Sequence, residues 1–491
     1  MLPVMQLRRE RLSFDPCAVL VPMRSVRSSG PWVALAFVAA CSAGQRPSPD
    51  AGRLARLPAA DSTARVAWLG AHASPLRTLD PADTSFDDLA PVGRAIGDAR
   101  IVFLGEAAHG EGGAYLGKTR LVKYLHEKLG FDALVFEGGF YEGSKVWSAL
   151  IGGAKPADAL ILGVPPAWSW SGEIEPLAEY LAAQARGPRP LRFMGYDPQS
   201  GYPTSRASLP LELRAFLDSV GLRGTAGPDS SFWRGLGWIL RSLSPADSLI
   251  TDSAAVERFV ETTRRLRADL ARRPPSESTR FWQQVLESTG AYARQLRQTR
   301  VEIETKDTHA WTSSNTRDEQ GARNLLWLAN DRFRGHRLIV WSATIHAARH
   351  VRGVDTRDSA WSYAGYIPTG EHVWRSLGTR MYALGFVGLG GGWRLGTTDS
   401  GRIRVDQHPA AELEELIGAA GFDFAFLDFR RIARGGEWLR EPLLSRPFAE
   451  HAKIARWPDV LDGIVFVREM QPATWPNFEA RLRGSRPLNF H

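Results

Sequence analysis

Seven short apolar runs recur along the chain, at residues 101–105, 133–137, 191–196, 338–342, 381–386, 424–429 and 464–467, each bounded by turn-forming residues. Most are continuous rather than alternating. Side chains of a strand point to opposite faces in turn, so a continuous apolar run predicts a strand covered on both sides. Helical patterns lie between the runs. Across residues 115–129, Leu121, Val122, Leu125 and Leu129 share one face and Gly130 stands at the stop. Residues 409–420 open on Pro409 and close before Gly421, which predicts a second helix. Strands alternating with helices predict an α/β fold, a central and mostly parallel sheet flanked by helices.

The stretch from about 205 to 304 breaks the alternation. It has no strand pattern, and its runs 254–273 and 279–300 are amphipathic and Arg-rich. These features predict a helical insertion covering the active-site end of the sheet, with Trp233 and Trp238 as core or lid packing. No P-loop or GxGxxG fingerprint is present, and Gly388–Gly392 lacks the lysine and following helix that phosphate binding needs.

Composition narrows the function classes. The 491 residues are 44% hydrophobic and 23% charged, with a formal net charge of +8. Basic and acidic residues are interspersed, so the excess does not form a nucleic-acid-binding block. The two cysteines, Cys17 and Cys41, both precede the folded region, which excludes a disulfide framework, a thiol nucleophile and a cysteine metal site from the domain. From Met23 the chain carries Arg24 and Arg27, a short apolar run and then Val38-Ala39-Ala40-Cys41. That run is too short to span a bilayer as a helix, which takes about 20 apolar residues. It reads as a signal peptide over 23–41 ending in a lipobox, with Cys41 lipidated. Residues 1–22 fit no part of a signal and read as an extension before the true start, 42–61 as a polar tether, and 62–491 as the folded domain. The expected location is the cell envelope, anchored to a membrane by lipid. Ser42, which lacks the acidic retention character, points to the outer membrane and periplasm.

Candidate chemistry gathers at strand ends. The first run finishes as Gly105-Glu106-Ala-Ala-His109-Gly110, the second at Glu137, the third at Asp197-Pro-Gln199, and the fourth leads to His346, then Arg349 and His350. Loops after strand C-termini are where α/β sheets bind ligands. Ionisable groups after apolar runs are costly unless paired or solvated, and their recurrence predicts one convergent site. Glu106 and His109 are three residues apart and fall on one side of a helical turn. A neutral imidazole beside carboxylates is a suitable base near neutral pH. No Gly-x-Ser-x-Gly elbow follows a strand, which argues against a serine nucleophile.

These blocks carry a resemblance. Gly105-Glu106-Ala-Ala-His109-Gly110, Glu137, Gly195-Tyr-Asp197-Pro-Gln199, Trp311-Thr-Ser-Ser-Asn-Thr-Arg317-Asp318 and Trp341-Ser-Ala-Thr-Ile-His346 occur in the order seen in the erythromycin-esterase-like family. The resemblance covers roughly residues 91–468 and implies hydrolysis of an ester or lactone, macrolides included, without a cofactor. By it, His109 looks like the base that activates water, Glu106 and Glu137 its supporting acids, and His346 a second active-site histidine. Asp197, Gln199, Arg317 and Asp318 would contact substrate, although Arg317 and Asp318 read equally well as an ion pair pinning the insertion. The chain departs from the family pattern at Ala343-Thr344, where a His-Asn pair is usual, and at Glu111-Gly112-Gly113. Two alternatives stand beside this reading. One is a hydrolase holding a divalent metal on Glu106, His109, Glu137 and His346. The other is a non-catalytic binding lipoprotein of the same fold.

Overall fold

The computed structural model describes residues 59–224, 227–242, 252–307, 310–358, 361–395, 412–448 and 451–476. Residues 1–58, with Cys17, Cys41, the expected signal and all but the last three residues of the expected tether, lie outside them. The first helix, Ala59–His72, already contains Asp61, at the expected end of the tether. Among the described residues no helix is long and apolar enough to cross a membrane.

All seven expected strands form, with three further short ones among the described residues. In chain order they are β1 Ser74–Pro75, β2 Ile101–Glu106, β3 Phe131–Gly139, β4 Arg192–Asp197, β5 Arg337–Ala343, β6 Met381–Gly391, β7 Phe424–Asp428, β8 Leu443–Ser445, β9 Lys453–Ala455 and β10 Gly463–Met470. Eight of them make one sheet in the order β1-β7-β10-β6-β2-β5-β3-β4, while β8 and β9 pair separately. From β10 to β4 every neighbour is parallel. Only β7 and β1 join antiparallel, at one edge. The sheet is therefore mostly parallel, as the continuous runs imply.

Burial explains those runs. Ile101 and Phe103 of β2 enter one hydrophobic cluster, and Val102 and Leu104 enter the cluster on the opposite face, with all four fully buried. Each such side chain contributes roughly 1.5–3 kcal/mol when taken from water. Both faces need apolar cover, so neither parity of the strand can be polar.

Among its described residues the insertion forms four helices, Pro203–Ser219, Ser230–Arg241, Ser253–Ala271 and Glu277–Thr305. Three are opened by side-chain caps, from Asp229, Asp252 and Ser276. Such caps contribute about 1 kcal/mol each by satisfying N–H groups that a helix start leaves unpaired. Trp233 packs against the core beneath.

The helix expected over 409–420 starts later, at Leu413–Ala419. Residues 409–411 lie outside the described set. Glu412 is extended because its backbone bridges Leu444 and its carboxylate binds Arg446.

Candidate functional site

Strands β2, β3, β4 and β5 run parallel, so their C-terminal residues reach the same edge of the sheet. Glu106 of β2 stands in register with Ala343 of β5. Gly105 lets the chain after β5 approach, since a Cβ there would lie 2.6 Å from the Thr344 Cα. The loop after Glu106 closes at Gly110, whose φ of +93° and contact with the Arg394 backbone exclude a side chain.

Within this loop His109 places Nδ1 3.1 Å from Glu106 Oε1. The same oxygen accepts from Trp168 Nε1 at 2.9 Å. Lys118 Nζ donates to the other oxygen, and to the Ser342 carbonyl at 3.1 Å. Glu106 is fully buried. Burial alone would raise its carboxyl, but Lys118 and His109 reverse this and hold it below the usual range. An ionised carboxylate only accepts, so His109 Nδ1 carries a proton, and it is Nε2 that presents a lone pair in the neutral ring. The ring stands edge-on to Trp168, with centroids 4.5 Å apart, and one-fifth of its side chain is exposed (20%).

Beside this pair lies a second cluster. Glu137 Oε2 accepts from the Ala343 N–H at 2.8 Å, and Oε1 from Arg317 Nη2 at 3.0 Å. Arg317 also grips Asp197 Oδ2 through Nε at 2.9 Å and Nη2 at 2.5 Å. His346 Nδ1 is 2.8 Å from Asp318 Oδ1, while Nε2 lies 3.5 Å from Glu137 and 3.4 Å from Arg317 Nη1. Asp318 further accepts from the Tyr366 hydroxyl at 2.9 Å, the Thr369 N–H at 2.9 Å and the Thr369 hydroxyl at 2.7 Å.

The electrostatics follow from these partners. Burial opposes ionisation of Asp318, yet His346, Arg317 and Thr369 bring its carboxyl down to about 2. Burial likewise opposes a charge on His346, but Asp318 and Glu137 prevail and raise it above its ordinary value. Glu137 is held low against its burial by His346, Arg317 and His109. Through that last interaction, and through Ala343, the two clusters meet.

Most of the expected residues thus come together: Glu106, His109, Glu137, Asp197, Arg317, Asp318 and His346. Gln199 joins only through its backbone, donating N–H to Asp197 Oδ1 at 3.0 Å, and its side chain makes no hydrogen bond to the cluster. The Arg317–Asp318 ion pair does not form. Consecutive residues of the helix Thr312–Trp327 point about 100° apart. Arg317 therefore meets the strand ends while Asp318 meets His346, and neither holds the insertion. Arg349 and His350 turn away, towards Asp462 and Glu371.

Four participants were missed from sequence: Lys118, Trp168, Glu111 and Tyr366. Lys118 had a signal. It continues the apolar stripe of Leu121, Val122, Leu125 and Leu129 at helical spacing, and a cation on a buried face needs a buried anion. Among the described residues no group of three or more His, Cys, Asp or Glu side chains is arranged to hold a metal ion. The oxygens of Glu106 and Glu137 are already engaged by Lys118, Trp168, His109, Ala343 and Arg317.

A sequence model of the family described as erythromycin esterase matches residues 126–470. The chain belongs to the erythromycin esterase family. The matched span contains Glu137, Asp197, Arg317, Asp318 and His346, and the Glu106–His109 block precedes it. YbfO of Bacillus subtilis, named as a hydrolase, is 22% identical over 83% of this chain and 91% of its own length. An erythromycin esterase type II of Escherichia coli is 37% identical over a short stretch, 16% of this chain and 18% of its own. Among solved structures, the erythromycin esterase EreC, a histidine-to-asparagine mutant in its open conformation, superposes with a TM-score of 0.61 at 17% identity. That match covers 82% of this chain and 98% of EreC. A protein described as a succinoglycan biosynthesis protein reaches a TM-score of 0.67 at 19% identity, over 85% and 99%. The structural likenesses show the fold, and membership of the erythromycin esterase family supports a hydrolase.

Proposed function

We propose that this chain hydrolyses a carboxylic ester or lactone, with His109 as general base. Water donates a proton to His109 Nε2 as its oxygen attacks the carbonyl carbon. The proton then passes from Nε2 to the departing alkoxide, leaving an acid and an alcohol. Glu106 holds the ring in the tautomer this requires and stabilises the imidazolium formed in transit. A base so placed contributes roughly 10²–10⁴ in rate. The Arg317 guanidinium and His346, whose proton affinity Asp318 and Glu137 raise, are fixed by carboxylates where a substrate oxygen can be bound and polarised.

One observation carries the reading: His109 is fixed at Nδ1 by a buried, ionised Glu106, while no protein group bonds Nε2 among the described residues. The substrate class rests on family membership. Ala343 and Thr344, where the family usually has histidine and asparagine, favour an ester of different shape from the macrolides.

The test is a screen of the protein against erythromycin, simpler macrocyclic lactones and p-nitrophenyl esters, beside His109→Ala. Equal turnover by both proteins, on every substrate, sinks the assignment. Chelation by EDTA that abolishes activity, restored by zinc or manganese, would transfer the chemistry to a metal. Ligand binding without turnover would mark a binding protein.

A further inference from the structure

We propose that Glu111 is a positioning residue for His109, folding its carboxyl back onto the turn that precedes the imidazole and fixing its aim. The inference rests on the reading of His109 as the base. Glu111 is only 1% exposed. Its Oε2 accepts the Ala107 N–H at 3.0 Å, and the neighbouring Ala108 N–H favours the charged form of the carboxyl. Glu111 is the residue before the helix Gly112–Leu129, yet its side chain makes no capping bond to that helix. A forward cap would contribute about 1 kcal/mol to the helix. Here the acceptor faces backwards, to the two residues between Glu106 and His109.

Those two residues are alanines and have no side chain with which to hold themselves. The far end of the turn is secured separately. The Gly110 carbonyl accepts from Arg394 at 3.0 Å and Ala473 at 2.7 Å, and its N–H donates to the Tyr115 hydroxyl at 2.6 Å. His109 thus sits between a clamp outside the turn and the Glu111 carboxyl within it. The position is an expensive one for an acid. Burial, and then the charge of Glu106, push the Glu111 carboxyl up to about 8. At neutral pH the group is a neutral acceptor, which glutamine imitates. Generic packing would favour an apolar side chain there, so the acid is explained by the N–H groups it serves.

The experiment compares the full chain with Glu111→Ala, Glu111→Gln and Glu111→Asp, each checked for folding by its melting curve. Two quantities are read: kcat and KM on the best ester of the screen, and the rate at which diethyl pyrocarbonate modifies His109, followed by peptide mass spectrometry. Loss of the contact in Glu111→Ala should lower kcat about 100-fold with KM nearly unchanged, the scale of a misplacement near 1 Å. It should also change the His109 modification rate several-fold. Glu111→Gln should restore both, whereas Glu111→Asp, one methylene too short, should not. If Glu111→Ala fails to fold, the contrast between Gln and Asp decides alone. The proposal is overturned if Glu111→Ala or Glu111→Asp matches wild type in both quantities, or if Glu111→Gln is as impaired as they are. If the wild type turns over no ester, the hydrolase reading falls by itself, and the modification rates still decide whether Glu111 holds His109.

Discussion

Replacing Asp318 with asparagine removes the charge that faces His346 while keeping the shape of the side chain. The fall of its carboxyl from an ordinary 3.8 to about 2 corresponds to about 2 kcal/mol of folded-state stability at neutral pH, at about 1.4 kcal/mol per tenfold change in proton affinity. The substitution also turns an amide NH₂ towards donors. Asp318 accepts from His346, Tyr366 and both Thr369 groups, and at least one of these then loses its acceptor. An orphaned buried donor costs a further 1–3 kcal/mol or so. Together these give about 3–5 kcal/mol, the range seen when one partner of a buried pair is removed. The pH dependence has a defined sign. A carboxyl lowered by folding stabilises above its ordinary value and loses that contribution as pH falls through about 2. A histidine raised by folding stabilises below 6.5 and loses its contribution as pH climbs through the raised value. The pair is one interaction seen from two ends, and it is at full strength between about pH 4 and 6.5. Urea unfolding of both proteins across pH 2.5–8 measures the difference. A gap under about 1 kcal/mol at pH 5.5, or one that does not narrow towards pH 2.5, refutes the reasoning.

Three other changes test separate parts of the molecule. Lys118→Met leaves the Glu106 carboxylate buried without its cation, so urea unfolding should show a loss of about 3–5 kcal/mol; a neutral result would mean the pair is dispensable. Ala473→Pro deletes the N–H that holds the Gly110 carbonyl, and hydrogen exchange in residues 107–111 should rise several-fold while exchange in β3 stays unchanged. Labelled palmitate should enter the full-length chain in a bacterial host and not Cys41→Ala; equal labelling of both would remove the lipid anchor.

The strands were readable from the sequence because a doubly covered strand has no polar parity to confuse the pattern, as Ile101 to Leu104 illustrate. Strand-end chemistry was readable for a related reason: an ionisable group directly after an apolar run can only be at an edge or in a site. The wiring was not readable. Arg317 finds Asp197 and Glu137, 120 and 180 residues earlier in the chain, and nothing local marks that choice over its neighbour Asp318. Only the direction each residue takes from the helix, fixed by how that helix lies on the sheet, separates the two. Glu412 illustrates the same limit, since a pairing with Leu444 overrides its local helical pattern.

The two histidines show why wiring decides role. Each has Nδ1 fixed by a buried carboxylate, Glu106 for His109 and Asp318 for His346, so sequence and tautomer treat them alike. They differ at Nε2. That of His346 faces Arg317 and Glu137, and Asp318 and Glu137 raise the ring's proton affinity above its ordinary value. A proton so held is available as a fixed charge but is poorly suited to rapid exchange with water. Nε2 of His109 has no protein partner among the described residues, and its ring meets solvent beside Trp168. A base must both accept and release a proton within one turnover. On the proposed mechanism the moving proton falls to His109 and His346 supplies charge, a division that the order of residues along the chain does not express.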